Sequence, residues 1–302
     1  MSENKFKVPI KAFALQYLGT AGYLKWIPDE LYLKMLYKFS MGVSLNLENP
    51  QRYTEKLQWI KLYDRRPEYT MMVDKYAVRG FVAERIGEEY LIPLLGVWDS
   101  PDDINFNELP DQFVMKCNHD SGGIIICKDK SKLDFEEKRR FLKRRMKQSF
   151  FWAAREWPYK NIPRKVIAEK YMEDESGYEL KDYKFFCFDG RCKAIFIATD
   201  RGIDTRFDFY DPDFNHLPIK NGHENAEKPI VKPDGWEKMI QLAETLSEGI
   251  PQVRVDLYNI YGRPYFGEMT LFHYGGKKPF EPDEWDYIFG EWIHLPLKRT
   301  KV

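Results

Sequence analysis

The sequence has no excess of either charge. Lysine and arginine total 47 across 302 residues, aspartate and glutamate total 47, and the formal net charge is zero. A general nucleic-acid binder carries a basic surplus, so no nucleic-acid partner is expected, although a local basic pocket is still allowed. Cysteine is scarce too: Cys117, Cys127, Cys187 and Cys192 are the only ones, and none forms a CxxC pair. This excludes a disulfide framework, argues against a zinc site, and fits a reducing, cytoplasmic location. His216, His223 and His294 show no metal-ligand spacing. There is no GxxxxGK[ST] phosphate loop, no GxGxxG fingerprint, no internal repeat and no low-complexity tract.

A long apolar run is missing as well. In "MSENKFKVPIKAFALQYLGTAGYLKWIPDE", Lys11 and Lys25 bracket the apolar portion, too closely for the ~20 residues that span a bilayer. No signal peptide and no transmembrane segment are therefore expected. The stretch reads as a helix and turn packing onto the domain, or as an amphipathic segment touching a membrane surface, and packing is the preferred expectation.

What is present supports a sizeable core under a charged surface, with 43% hydrophobic and 31% charged residues. "DELYLKMLYKFS" places Leu31, Leu33, Met35, Leu36 and Phe39 at helical spacing with Asp29 as cap. Thr54 is expected to open a helix with Leu57, Ile60 and Leu62 inward. Asp74 should cap another, bearing Tyr76, Ala77, Phe81 and Val82 and stopped at Gly87. "YLIPLLGVW" reads as a strand broken by Pro93, and "QFVMKCN" and "GGIIICKD" as the arms of a hairpin. Residues 131–157 read as one long basic helix, its charges a solvated face or a surface for an anionic polymer. After a strand "KVIAEKYM" come a hairpin turned at Asp189-Gly190, a helix "GWEKMIQLAETLSEGI", and a hairpin turned near Tyr261-Gly262. Helices mixed with antiparallel hairpins predict an α+β (mixed α/β) chain.

Three places suggest chemistry. Lys116 ends a strand just before Ser121-Gly122-Gly123. Glycine lets backbone N–H groups approach a phosphate and the lysine adds a point charge; a plain glycine turn beside an exposed lysine fits equally well. Asp256 and Glu268 lie on the two arms of the last hairpin. Facing strands can bring such carboxylates together, and an oxygen-only pair suits Mg²⁺ shared with substrate phosphates. Arg254, two residues from Asp256, shares its face; the plainer reading is a surface salt bridge. Finally, Glu169 ends a strand that runs into an acidic link, where exposed backbone could meet a purine edge, or could simply leave the sheet.

The order of these pieces, Asp74-Lys75, strand-Lys116 with its glycine loop, Glu169-Lys170-Tyr171-Met172, then Asp256 and Glu268, resembles the ATP-grasp superfamily. It is most similar to the TupA-like ATP-grasp family of bacterial surface-polymer synthesis, from about "NPQRYTEKLQWIKLY" to the C-terminus. The resemblance implies two α+β subdomains clamping ATP: a helical N-terminal region over 1–73, a first subdomain with a glycine-rich lid over 74–168, and a C-terminal subdomain with the metal site over 169–302. It implies that Lys75 and Lys116 contact ATP phosphates and that the loop from Asn118 through Ser121, Gly122 and Gly123 folds over them. Glu169 and the backbone of Lys170, Tyr171 and Met172 would read adenine; Asp182, Asp174 or Glu175 would hold the ribose. Asp256 and Glu268 would hold Mg²⁺, and Arg254 would neutralise the transferred phosphoryl group. Thr270 stands where many ATP-grasp enzymes have Asn, which leaves the number of metal ions open, and His273 with the following glycines would bend near the phosphates. His119 would sit in the lid, against phosphate or solvent.

The implied activity is an ATP-dependent carboxylate–amine ligase working through an acyl phosphate on small-molecule or polymer-precursor substrates. The rival is a glycosyltransferase, for which "DPD" at 211–213 spells the expected acid pair, although its proline reads as a turn.

Overall fold

Two antiparallel sheets carry the polar side chains discussed below, and the helices cover the remaining faces. The structure is a computed structural model and describes residues 8–177, 180–200 and 204–298. In chain order its helices and strands are α1 (Ile10–Thr20), α2 (Asp29–Met41), α3 (Tyr53–Tyr63), α4 (Glu68–Val73), α5 (Val78–Ile86), β1 (Leu94–Trp98), β2 (Phe113–Cys117), β3 (Ile124–Cys127), α6 (Phe135–Lys147), α7 (Phe151–Ala154), β4 (Val166–Lys170), β5 (Asp182–Phe188), β6 (Arg191–Thr199), β7 (Arg206–Tyr210), β8 (His216–Leu217), α8 (Trp236–Ser247), β9 (Val253–Ile260), β10 (Arg263–Thr270) and α9 (Glu284–Glu291).

The smaller sheet has the order β1-β4-β2-β3. Its inner face buries Phe113, Met115 and Cys117 with Leu142 of α6. Strand alternation then turns Lys116 to the opposite face. The larger sheet has the order β10-β9-β5-β6-β7-β8. On one of its faces Phe185, Val253, Val255 and Leu257 share a core with Trp236, Met239 and Leu242 of α8. The other face divides. At one end Phe186 packs against Tyr53 of α3 and Phe289 of α9, with ring centroids 6.2 and 5.3 Å apart; at the other end it is polar. Leu33 and Tyr37 of α2 and the buried hydrophobic residues of α3 and α4 share a core with the C-terminal sheet, while Ala12, Leu15, Ile27, Tyr32 and Leu36 gather with Ala154 in a smaller cluster.

The hairpin turns form where expected. Asp189-Gly190 and Tyr261-Gly262 each adopt two successive positive φ angles, 48° and 78°, and 50° and 77°, the geometry of two-residue hairpin loops. Several local expectations need correction. Pro28, not Asp29, occupies the cap position of α2. Leu33 and Leu36 are buried as expected, but Leu31 faces outward and the buried stripe is completed by Tyr32 and Tyr37. Residues 131–157 are not one helix: α6 ends at Gln148, where charged sequence gives way to aromatic, and Phe151 of α7 is drawn into the main core. "FDFY", expected within a turn, is most of strand β7, and α9 carried no strong periodic signal.

Thr54 does not cap α3; Arg52 holds that position. Thr54 instead donates its N–H and its hydroxyl to buried Asp286 at 2.9 and 2.7 Å, latching α9 onto α3. Burial pushes the Asp286 carboxyl up to about 6, against the pull of the Thr54 bonds and of Arg52. A raised carboxyl pKa stabilises the fold fully below the unfolded value, and that contribution is lost as pH rises through the folded value. Equilibrium unfolding followed from pH 4 to pH 8 should show stability falling through about pH 6, by of the order of 3 kcal/mol. Asp286→Asn should lack that slope.

Candidate active site

Register across the larger sheet decides which side chains meet. Lys184 on β5 lies directly opposite Asp256 on β9, and Asp256 directly opposite Glu268 on β10. Neighbouring rows pair Asp182 with Tyr258, and Phe186 with Arg254 and then Thr270. Because alternate residues share a face, all of these side chains project to the same side.

For β10 this depends on a bulge. Phe266 pairs with Leu257, but Asp256 pairs with Glu268, so Gly267 is unpaired. Were Gly267 regularly paired with Asp256, Glu268 would face Val255 and point into the apolar core; the bulge leaves Gly267 out of the ladder and keeps Glu268 opposite Asp256. A Cβ on residue 267 would come within 3.0 Å of the Asp256 carbonyl oxygen and 3.3 Å of the Tyr258 ring, so glycine fits where the strands close around the bulge.

The smaller sheet brings its cations to the same place. Lys75, Lys116, Ser121 to Gly123, Asp182, Lys184, Asp256 and Glu268 line one cleft of ≈ 240 Å³. Asp74 caps the turn after α4 by accepting from the N–H groups of Tyr76 and Ala77 at 2.8 and 3.2 Å. The same oxygen accepts from the Asn118 amide at 2.8 Å, and the Lys75 N–H donates to the Asn118 carbonyl at 3.1 Å. The helix start is thereby tied to the end of β2, and Lys75 stands beside the glycine loop. Its ammonium donates to the Asp120 carbonyl at 3.0 Å and pairs with Glu268 at 3.3 Å across the cleft. Lys116 pairs with Glu169 at 2.7 Å, and Arg79 reaches the same carboxylate at 3.0 Å.

The charges are strongly coupled. Arg254 grips Asp256 with two bonds of 2.7 and 2.8 Å, and Lys184 adds a third contact. Arg254 also donates to the Thr270 hydroxyl at 3.1 Å and lies 3.6 Å from Glu268. Burial opposes ionisation of Glu268, but Lys75, Lys184 and Arg254 outweigh it and hold the carboxyl at about 2. His273 is driven well below its usual value by burial, then by Arg254 and Lys184. Its Nδ1 lies 2.6 Å from an Arg254 nitrogen, and a guanidinium only donates. His273 is therefore neutral, with Nδ1 accepting and Nε2 donating to Asn221 at 2.9 Å.

The donor set suits a hard divalent cation. Asp256, Glu268 and the Thr270 hydroxyl supply oxygen only, and Mg²⁺ characteristically takes one or two carboxylates together with substrate phosphates. Among the described residues no three His, Cys, Asp or Glu side chains gather to hold an ion by themselves.

A sequence profile of TupA-like ATP-grasp proteins matches residues 55–294. The chain belongs to the TupA-like ATP-grasp family. The match spans both sheets and starts within α3. No curated protein matches the chain. Solved structures similar to this TupA-like ATP-grasp chain include the D-alanine–D-alanine ligase of Bacillus anthracis with ATP, at TM-score 0.39 and 19% identity over 67% of this chain and 54% of that one. The D-alanine–D-alanine ligase of Helicobacter pylori has TM-score 0.40 and 13% identity over 82% and 70%. The ATP-grasp ligase PsnB with a phosphomimetic precursor variant, Mg and ADP has TM-score 0.42 and 10% identity over 84% and 65%. The chain thus spans 54% of the length of the first of these.

Not every expected residue of this TupA-like ATP-grasp chain reaches the cleft. Asn118 is fully buried, and its amide is committed to Asp74, Pro163 and the Lys165 N–H, so it builds the corner below the loop. His119, expected at phosphate or solvent, is buried as well. Of the three ribose candidates only Asp182 lines the cleft. Asp174 closes its own link by accepting from Ser176 and Lys181, and Glu175 is exposed. Lys170 and Tyr171 border a separate opening with Gln112 and Lys128, and Met172 is half-buried in the link. Asp211 of "DPD" accepts twice from Asn215 at 2.8 Å and closes a turn that does not line the cleft.

Sequence reasoning missed Lys184, Arg79, Asp120 and Arg145. Lys184 was legible in principle, since the strand "DYKFF" carries it two residues after Asp182. Arg145 was not, because only folding brings α6 to the loop: its guanidinium meets Asp120 at 2.5 and 2.6 Å and the Ser121 carbonyl at 2.7 Å. Arg145→Met should release the loop. Hydrogen exchange at residues 121–123 should quicken several-fold while β2 and β3 amides stay protected; unchanged loop exchange would remove Arg145 from that role.

Proposed function

We propose that this protein is an ATP-dependent carboxylate–amine ligase. The observation that carries the reading is convergence in a chain of this family: Lys75 and Lys116 from one sheet and Lys184, Asp256 and Glu268 from the other border a single cleft. Four cations, Lys75, Lys116, Lys184 and Arg254, each paired with a carboxylate here, suit a polyphosphate that would exchange partners with those acids. Mg²⁺, held by Asp256 and Glu268 with the Thr270 hydroxyl beside them, would supply further neutralisation of phosphate charge.

In the reaction the substrate carboxylate oxygen attacks the γ-phosphorus of ATP, and the bond to the β-bridging oxygen breaks to give an acyl phosphate and ADP. An amine nitrogen then attacks the acyl carbon, phosphate leaves, and the amine's proton is lost to give the amide. Lys75 and Lys116 would hold the phosphates from the loop side, and Lys184 from the sheet side. Arg254, fixed against Asp256 and neutral His273, would meet charge developing on the transferred phosphoryl group. The Asp120–Gly123 loop, braced by Arg145, would exclude water that hydrolyses acyl phosphates. Asp182 is the ribose acid this reading favours. The acid or the amine would belong to a sugar or polymer precursor of the cell surface, in the cytoplasm.

The test is ADP release with candidate acids, with hydroxylamine trapping the acyl phosphate as a hydroxamate. ATP- and Mg²⁺-dependent hydroxamate supports the reading; release of UDP from sugar donors with no ADP overturns it. Lys116→Ala should weaken ATP binding by roughly 10- to 100-fold in calorimetry, the worth of one charge-assisted hydrogen bond. The fold should survive, since Arg79 still pairs with Glu169. Gly267→Val, whose side chain would crowd the Asp256 carbonyl and the Tyr258 ring, should distort the bulge and draw Glu268 off Asp256. Mg²⁺-dependent turnover should then fall as it does in Glu268→Gln, and retention of full turnover would show that the glycine is dispensable.

A further inference from the structure

Helix α1 is apolar on the side where a surface helix is normally polar. Its buried positions are Ala12, Leu15 and Gly19, spaced three and four apart, and they pack it against α2 and α7. The small residues allow close approach: a Cβ on Gly19 would lie 2.6 Å from the Trp152 carbonyl oxygen. The packing expected from the sequence is thus present. Yet Ile10, Phe13, Tyr17 and Leu18 follow the same helical spacing on the solvent side, with 86%, 63%, 65% and 40% of their surface exposed. Just beyond the helix, Tyr23 and Trp26 are 70% and 79% exposed.

The polar groups nearby do not interrupt this face. Gln16 and Thr20 donate back to the helix carbonyls of Ala12 and Gln16, at 3.3 and 2.8 Å. The Trp26 indole N–H donates to the Tyr23 carbonyl at 3.1 Å. Among the described residues 8–28 the charged side chains are Lys11 and Lys25, with no aspartate or glutamate before Asp29. Lys11 and Lys25 bracket the apolar stripe.

We infer that this face docks on an anionic lipid bilayer, with α1 lying in the plane of the headgroups. Apolar side chains on one helical face enter the acyl boundary, tyrosine and tryptophan favour the interface, and lysines reach anionic headgroups while their stems stay on the apolar surface. The chemistry suits a bilayer better than a second copy of the chain. A two-fold contact sets a patch against itself, so Lys11 and Lys25 would face the same lysines with no acid in residues 8–28 to answer them. No described helix is long and apolar enough to cross a membrane, so the contact is peripheral. The inference does not depend on the proposed reaction.

Flotation of the full chain with vesicles tests it. The protein should float with mixed phosphatidylglycerol–phosphatidylcholine vesicles and far less with phosphatidylcholine alone. Lys11→Gln and Lys25→Gln should each weaken binding roughly fivefold at low salt. The double variant Phe13→Ser, Tyr17→Ser should abolish binding while leaving the melting temperature and ATP affinity unchanged. Brominated lipid should quench tryptophan emission, and Trp26→Phe should remove most of that quenching. Failure to float with anionic vesicles overturns the inference. So does a dimer in sedimentation equilibrium that the two serine substitutions dissociate, which would make the face a protein–protein contact.

Discussion

The row formed by Lys184, Asp256 and Glu268 across three adjacent strands is the constraint on which the rest of the site depends. Two acids side by side repel unless cations stand with them, and here Lys184 and Arg254 hold Asp256 while Lys75 reaches Glu268. The row survives because β10 leaves Gly267 unpaired. Strand side chains alternate with a period of two, so a regularly paired Gly267 would exchange the two faces of everything beyond it. Glu268 and Thr270 owe their position to the bulge that absorbs this residue.

The surrounding structure keeps these charges in place from both ends. Tyr53 of α3 and Phe289 of α9 cover the sheet beside Phe186, next to Arg254 in the register. Buried Lys61 of α3 donates to the Gly275 carbonyl at 2.7 Å and Gln58 to those of Gly275 and Gly276, fixing the bend that follows His273. Burial pushes the Lys61 ammonium well below its usual pKa, against the opposing charge of Glu156. At the other end, Asp74, Asn118, Asp120 and Arg145 build a corner that presents Lys75 and the glycine loop. Each carboxylate of the cluster is neutralised by a cation of the same chain, so no buried acid is left uncompensated in this arrangement.

Much of this was legible in particular residues. The pairs Asp189-Gly190 and Tyr261-Gly262 announce their hairpins because few residues tolerate two successive left-handed conformations. Lys116, Arg254, Asp256 and Glu268 were picked out by their place on strands beside apolar runs, Asp182 only by the family resemblance, and they lie on or beside one cleft. Asn118 and His119 misled because a polar residue in a glycine loop looks exposed, whereas both are buried beneath it. Lys184 and Arg145 were passed over because nothing in their immediate neighbours shows what they face across the fold.

By itself the sequence determined most of the elements, the hairpin turns, the family to which they belong and the residue types available for phosphate and metal chemistry, since these follow from local periodicity, backbone preference and motif order. Tertiary structure alone decided which side chains meet. It kept Glu268 on the polar face by leaving Gly267 out of the ladder, turned Asn118 inward, brought Arg145 to the loop, and set the apolar stripe of α1 against solvent. The physical reason is that register and packing are set by contacts between residues far apart in the chain, and local pattern carries no record of them.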